Sequence, residues 1–459
     1  MVYKNRAIHL PIQAPIPGAG ALDAGAVERL IQEVRRRGSA RASELKTALG
    51  VSQPTISRLI AQAGDRICRA GAGPKVRYRL TRSIATLGTR LPLYRVDESG
   101  AVHPYGTLHL LEGEHQWLEP EKGPGQFFEG LPPFAVEMSP QGYMGRGFTQ
   151  RYPELDVPRR TADWRDDHRL IALSRRGEDC TGNLIMGEES LDRFLRWTPQ
   201  AVSPQDYPEL ARASLAGQPG SSAGGEQPKF ATYSEGRHVL VKFSGDDDSA
   251  AARRWRDLLW SEHFALEAVR AEGIPAAVSR PWSIAGRQFL EVERFDRIGP
   301  RGRRALLSLR VIDNEYISHQ DIRTWAKAAE HLLAERRISA EDARTIRWLD
   351  VFGQLIANTD QHFGNLSFFL EEDGQFRLAP VYDMLPMLFA PVETEIIERP
   401  FSPGPPTAAT LDVWSSAARR AAEYWGRLIE ARELSDEFRE HCRRCLSSVE
   451  LLMRQFPGS

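Results

Sequence analysis

Between Ile356 and Phe369 the chain reads IANTDQHFGNLSFF, which sets Asp360, His362 and Asn365 within six residues between two apolar runs. Burying polar groups is costly unless a partner or a reaction requires them. Downstream, APVYDML adds Asp383. Phosphoryl transfer needs a carboxylate to orient the attacking hydroxyl and oxygen ligands for Mg²⁺. Asp360 fits the first role, Asn365 and Asp383 the second, and His362 orders the loop. Taken alone, a D-x-H-x-x-N pattern serves equally well as a turn cap followed by a strand.

Other parts of the same chemistry lie upstream. SLAGQPGSSAGGEQPKFATY (214–233) precedes RHVLVKFS, giving a loop, a strand, a turn at Glu235-Gly236 and a second strand carrying Lys242. Alternation puts Lys242 on the face opposite Val241 and Phe243. A small-residue loop offers backbone N–H groups to an anion, and a lysine on the next strand neutralises it. A plain Ser/Gly linker before a hairpin would look the same. LLWSEHFALEAVRAEGIP is an amphipathic helix bearing Glu262, a carboxylate able to pair with a strand lysine as an assembled kinase site requires. RQFLEVERFDR reads as a strand entering a polar corner at Glu293 to Asp296.

The elements around the opening motif follow from pattern. A helix with Trp348, Val351, Phe352 and Leu355 breaks near Asn358, and an irregular segment leads to a strand over 366–370. A turn at Glu372-Asp373-Gly374 then returns Asp383 towards Asn365. Residues 93–111 read as a hairpin, and 123–142, rich in Pro and Gly, as loops.

The head has a different character. Val27, Leu30, Ile31 and Val34 form one helical face; Leu45, Ala48 and Leu49 begin a second, stopped by Gly50. Ser52 caps a third helix with Pro54 in its first turn. Ile56, Leu59 and Ile60 face inward, leaving Gln53, Thr55, Ser57 and Arg58 outward. Two short strands around a Gly-rich turn follow, with Arg66, Arg69, Lys75, Arg77, Arg79 and Arg82. This is the layout of a winged helix-turn-helix able to read a major groove, with Lys75 and Arg77 among its phosphate contacts. A helical packing module with a solvated basic face is the plainer reading. Residues 1–82 hold fifteen Lys and Arg against five Asp and Glu, a net of +10; the whole chain is −1, so the rest carries −11. A basic head on an acidic body suits a polyanion partner.

The 459 residues, 41% hydrophobic and 26% charged, suit a soluble protein of two or three domains with ordinary cores. Neither a secretory signal nor an 18-residue apolar run is seen, and four cysteines fit a reducing cytoplasm. Cys442 and Cys445 form a CxxC without a second pair and read as ordinary positions on an amphipathic helix. The Pro-rich stretch 399–412 reads as an exposed loop.

Over roughly residues 85–455 the chain resembles the HipA family of bacterial serine/threonine kinases, the toxin halves of toxin–antitoxin pairs. NTDQHFGNLS matches that family's catalytic loop, LAPVYDML its metal-binding aspartate, VLVKFS its lysine strand, VERFDR its hinge and SSAGGEQPKF its nucleotide loop. FFEGLPPF and LIALSRRGEDCTGNLIMG resemble motifs of its N-terminal lobe. The resemblance implies a bilobal kinase-like α+β fold, with a β-rich lobe over 83–295 and a helical lobe over 296–459 behind the 1–82 head. It implies Asp360 as base, Asn365 and Asp383 on Mg²⁺, and Lys242 on ATP phosphates paired with Glu262. Ser222, Ala223, Gly224, Gly225, Lys229 and His362 would complete the ATP site, with Glu293 and Phe295 holding adenine through backbone groups. Ser222 or Ser221 matches a serine at which family members autophosphorylate and switch off, which added charge in a phosphate cradle makes reasonable.

Two departures stand out. The family's usual partner is a separate DNA-binding antitoxin, whereas here a winged helix is fused in cis, so a separate antitoxin is an open question. The nucleotide loop is also richer in Gly and Ser than the family pattern. The expected protein is an ATP- and Mg²⁺-dependent cytoplasmic protein kinase that binds DNA through its head, with dimerisation open and no membrane partner. A DNA-binding regulator with a silent kinase-like sensor is the rival, and a small-molecule kinase a third reading.

Overall fold

The computed structural model describes residues 24–216, 227–317, 322–371 and 374–457. The chain forms two compact units. The first runs to Arg90 and takes back residues 109–119 and 123–127; the second holds the remainder.

In the first unit three helices, α1 (Ala24–Arg37), α2 (Ala42–Leu49) and α3 (Gln53–Ala63), precede an antiparallel pair, β1 (Ile67–Ala70) and β2 (Arg77–Leu80). Leu30, Ile31 and Val34 of α1 pack with Leu45, Ile56 and Leu59, the faces their spacing predicts. α2 stops at Gly50, whose φ of 63° suits glycine. The Ser52 hydroxyl accepts the Thr55 N–H to cap α3. A second apolar cluster joins Cys68 and Ala70 of β1 to Leu111, Trp117 and Phe127 from the returning segments.

The chain continues through β3 (Arg90–Val96), β4 (Val102–Leu110), β5 (His115–Pro120) and β6 (Gln126–Glu129). Then come α4 (Pro133–Met138), α5 (Gly142–Arg151), α6 (Asp166–Arg176), β7 (Leu184–Met186), α7 (Glu188–Arg196), β8 (Ala201–Val202) and α8 (Tyr207–Ala216). The N-terminal lobe is therefore less purely β than the sequence suggested. The stretch 123–142, expected as loops, holds β6 and α4. Pro132 and Pro133 sit at the start of α4, where a missing N–H costs nothing, so they begin a helix rather than forbid one.

The lobe's five-stranded sheet runs β11-β12-β10-β9-β8, from β9 (Lys229–Ser234), β10 (Arg237–Phe243), β11 (Ser279–Ile284) and β12 (Arg287–Glu293) with β8. Glu235 and Gly236, at φ 47° and 82°, make the predicted β9–β10 turn. Val239, Val241 and Phe243 pack with Tyr207, Phe230 and Phe289 on one face. The 22-residue helix α9 (Ala250–Ala271) is capped by the Ser249 hydroxyl, which accepts the Ala252 N–H.

After β13 (Arg297–Ile298) and β14 (Gly302–Arg303) come β15 (Leu306–Ser308), α10 (Leu309–Ile312), α11 (Trp325–Ala334) and α12 (Ala340–Leu355). β16 (Ser367–Leu370), β17 (Phe376–Leu378), α13 (Leu411–Glu430) and α14 (Asp436–Gln455) complete the C-terminal lobe. Its sheet is β15-β16-β17, and its core gathers Trp325, Phe352, Phe368, Tyr424, Trp425 and Phe438. Cys442 and Cys445 lie in that core on α14, and burial pushes the Cys445 thiol up to about 12. The segment 399–410 is mostly exposed and has no helix or strand. Among the described residues no helix is long and apolar enough to cross a membrane.

Candidate active site

The site is assembled by the ends of regular elements. α12 closes with the Asn358 N–H on the Gly353 carbonyl at 2.9 Å, and Ala357 takes a left-handed φ of 60°. These bonds end the helix and start the irregular segment at Asn358. The Asn358 carboxamide, buried, then ties two segments together. Its Oδ1 accepts the Asp360 N–H at 3.0 Å, and its Nδ2 donates to Met384 Sδ at 3.4 Å. The residue read only as a helix break thus couples the loop of Asp360 to the residue after Asp383.

Asn365 closes the loop from the other side, its Nδ2 donating to the Asp360 carbonyl at 2.9 Å. The His362 ring lies over Gly364 and accepts that residue's N–H on Nδ1 at 3.0 Å. A Cβ on Gly364 would meet the ring at 2.9 Å, so glycine makes this arrangement possible. His362 Nε2 stands 3.9 Å from Asp360 Oδ1. Trp325 donates its indole N–H to the His362 carbonyl at 3.2 Å.

Asp383 arrives by the predicted hairpin. β16 pairs with β17, and the Tyr382 hydroxyl donates to the Gly364 carbonyl and meets Ser367 Oγ, both at 2.7 Å. At φ 55°, Asp383 turns out of the strand direction, and its Oδ1 accepts from Lys242 Nζ at 2.6 Å. The same ammonium donates to both oxygens of Glu262 at 2.7 Å. Lys242 and Glu262 are buried. Lys229 stands directly opposite Lys242 in the β9–β10 register, so two cations share one sheet face.

The electrostatics follow from these contacts. Burial pushes Lys242 down, but Asp383 and Glu262 together hold its pKa above the ordinary lysine value. Burial pushes Asp383 up, yet Lys242 and then Lys229 prevail and hold it at about 2. Burial raises Glu262 against the pull of Lys242. Asp360 is raised chiefly by burial; His362 pulls it back and Asp383 pushes it further up. Of the two aspartates Asp360 is thus the more basic carboxyl, while Asp383 stays ionised.

The structure thus brings together Lys229, Lys242, Glu262, Asp360, His362, Asn365 and Asp383. The Glu293 N–H is bonded to the Val278 carbonyl at 2.8 Å, and Phe295 packs its ring 5.6 Å from that of Tyr382. Ser221, Ser222, Ala223, Gly224 and Gly225 lie outside the described residues. Sequence spacing missed Asn358, Tyr382 and Glu137. The Glu137 carboxylate accepts the N–H and hydroxyl of Ser308 at 2.9 and 2.6 Å, and Ser308 pairs with Ser367 of β16. Only the fold unites residues 171 positions apart, so no local pattern marks them.

In the first unit Gln53, Ser57 and Arg58 are exposed on α3, while half-buried Thr55 shares its hydroxyl with Ser52 at 2.9 Å. Lys75 is exposed in the turn, and Arg77 donates to Ser39 Oγ at 3.3 Å. Part of the basic charge is spent internally: Arg66 pairs with Glu28 at 2.6 Å, and Arg79 lies 4.1 Å over the Phe127 ring.

Comparison with known proteins agrees with this geometry. Residues 87–195 match the family model "YjjJ-like toxin, middle domain", and residues 221–450 match "HipA-like C-terminal domain". The chain is 35% identical over 421 residues to "Toxin YjjJ" of Escherichia coli (strain K12), covering 88% of this chain and 93% of that one. Among solved structures it resembles HipA in the complex of Shewanella oneidensis MR-1 HipA, HipB and operator DNA. The TM-score is 0.50 at 16% identity, covering 80% of this chain and 97% of that chain.

Proposed function

The chain belongs to the HipA family of toxin kinases, and from that premise we propose that it is a Mg²⁺- and ATP-dependent serine/threonine protein kinase of the cytoplasm. One observation carries the reading. A single buried ammonium, Lys242, is held between Glu262 and Asp383, while Asp360, the more basic carboxyl, stands on the adjoining loop.

The residues suit Mg²⁺-bound ATP: an ionised aspartate, an amide oxygen on Asn365 and two lysines on one sheet face. Bound there, it supplies the phosphoryl group and the metal charge that steadies it. Lys242 and Lys229 balance phosphate charge, and Glu262 orients Lys242. Asn365 and Asp383 would hold the metal, and His362 would set the loop. Glu293 and Phe295 hold the adenine. Asp360 would accept the proton of the serine or threonine hydroxyl as that oxygen bonds to the γ-phosphorus, whose bond to the bridging oxygen breaks to release ADP. Ser222 or Ser221 would be the autophosphorylation site, and Ala223, Gly224 and Gly225 would meet the nucleotide.

The first unit is proposed to bind DNA as a winged helix: three helices lead into a hairpin, with Gln53, Ser57 and Arg58 exposed on the third. Thr55, Lys75 and Arg77 would add contacts, and a separate antitoxin or a dimer would build on this unit. The rival, a regulator with a silent kinase body, draws on Lys242 occupying Asp383.

Labelled ATP and Mg²⁺ separate the two. Wild type is expected to label itself or a lysate protein, and Asp360→Asn to lose about 10³-fold in rate. No incorporation by wild type overturns the kinase reading.

A further inference from the structure

Arg310 lies on the first turn of α10, close to Gly364 of the loop just described. Its backbone is fixed from two sides: the Leu309 N–H donates to the Leu366 carbonyl at 2.7 Å, and Ser308 is held by Glu137. Its side chain is exposed, yet Nη1 lies only 3.8 Å from where a Gly364 Cβ would stand. Gly364 therefore floors a gap with the His362 ring on one side and the Arg310 guanidinium on the other. The charge of Arg310 also reaches the Tyr382 hydroxyl, opposing the upward push of burial there.

Other arginines near the lobe surfaces are paired, such as Arg175 with Glu189 and Arg347 with Asp412. Among the described residues Arg310 has no ion pair. Asp313, three positions on, does not meet it, and Glu137 is taken by Ser308. An exposed guanidinium without a carboxylate, anchored beside a catalytic loop, is a recognition group lacking its counter-ion.

We propose that Arg310 selects the acceptor: it binds a carboxylate close in sequence to the serine or threonine that receives phosphate, making acidic-flanked protein segments the preferred substrates. This rests on the kinase reading above. Arg310 and Asp360 both neighbour the His362 ring, which stands 2.9 Å from the Gly364 Cβ position and, through Nε2, 3.9 Å from Asp360 Oδ1, so a short stretch of extended chain at about 3.3 Å per residue can meet both.

The test uses the full chain with Mg²⁺, labelled ATP and serine/threonine peptide libraries whose flanking positions are acidic, basic or alanine. Wild type is expected to prefer acidic flanks at one or two positions. Arg310→Ala should lose about fivefold in kcat/KM on those peptides, carried by KM. Arg310→Glu should reverse the preference towards basic flanks, a readout that general weakening does not produce. Autophosphorylation by wild type without an acidic preference, or an Arg310→Glu variant that keeps the wild-type ranking, overturns the proposal and leaves the kinase reading intact. Absence of any incorporation, into peptide or into the chain itself, overturns both.

Discussion

Lys242 is the residue on which the site turns, because one ammonium is shared between two carboxylates. Replacing it with Met would leave Glu262 buried without a counter-charge, a loss of about 3–5 kcal/mol, so a fall in Tm should accompany the loss of transfer. Asp383 makes a separate pH prediction. Its folded value of about 2 lies below its ordinary 3.8, so its stabilisation is present above about pH 4 and fades as the pH falls towards 2. The difference is worth about 2 kcal/mol, and Asp383→Asn should flatten the stability profile across that window in urea titrations. Asp360 shifts the other way. As a base it must be ionised, so the acid limb of kcat/KM should lie above the ordinary carboxylate range. Because His362 pulls Asp360 down, His362→Gln should move that limb to higher pH.

At the level of elements, catalysis depends on where helices stop and turns begin. α9 presents Glu262 and begins at the Ser249 cap, so Ser249→Ala should cost about 1 kcal/mol in denaturant unfolding. The strongly patterned elements were legible. α9, α12, the β9–β10 hairpin and β16 declare themselves by periodicity, turn residues and chain order, and with them the placement of Lys242, Glu262 and Asp383. The segment from 123 to 216 was not. There short helices are set by burial against neighbours, and prolines that punctuate a loop also begin a helix. Asn358 illustrates the same limit for the site, since its two bonds cross from one segment to another and leave no trace in spacing.

At the scale of the molecule, the proposed DNA binding and phosphate transfer would draw on different residues and should separate. Arg58→Ala should weaken DNA binding in mobility-shift assays while autophosphorylation persists, and Asp360→Asn should do the reverse. Affinity should fall steeply between 50 and 200 mM salt, as for any phosphate-tracking protein. The path of the chain adds a constraint on inheritance and engineering. The first unit needs residues 109–119 and 123–127 as well as those up to Arg90, and Leu111, Trp117 and Phe127 cover Cys68 and Ala70. A cut after Arg82 would strip apolar cover from the severed head. The head is not an interchangeable cassette: recombination that traded it for another at Arg90 would leave residues 109–119 and 123–127 of the first unit behind.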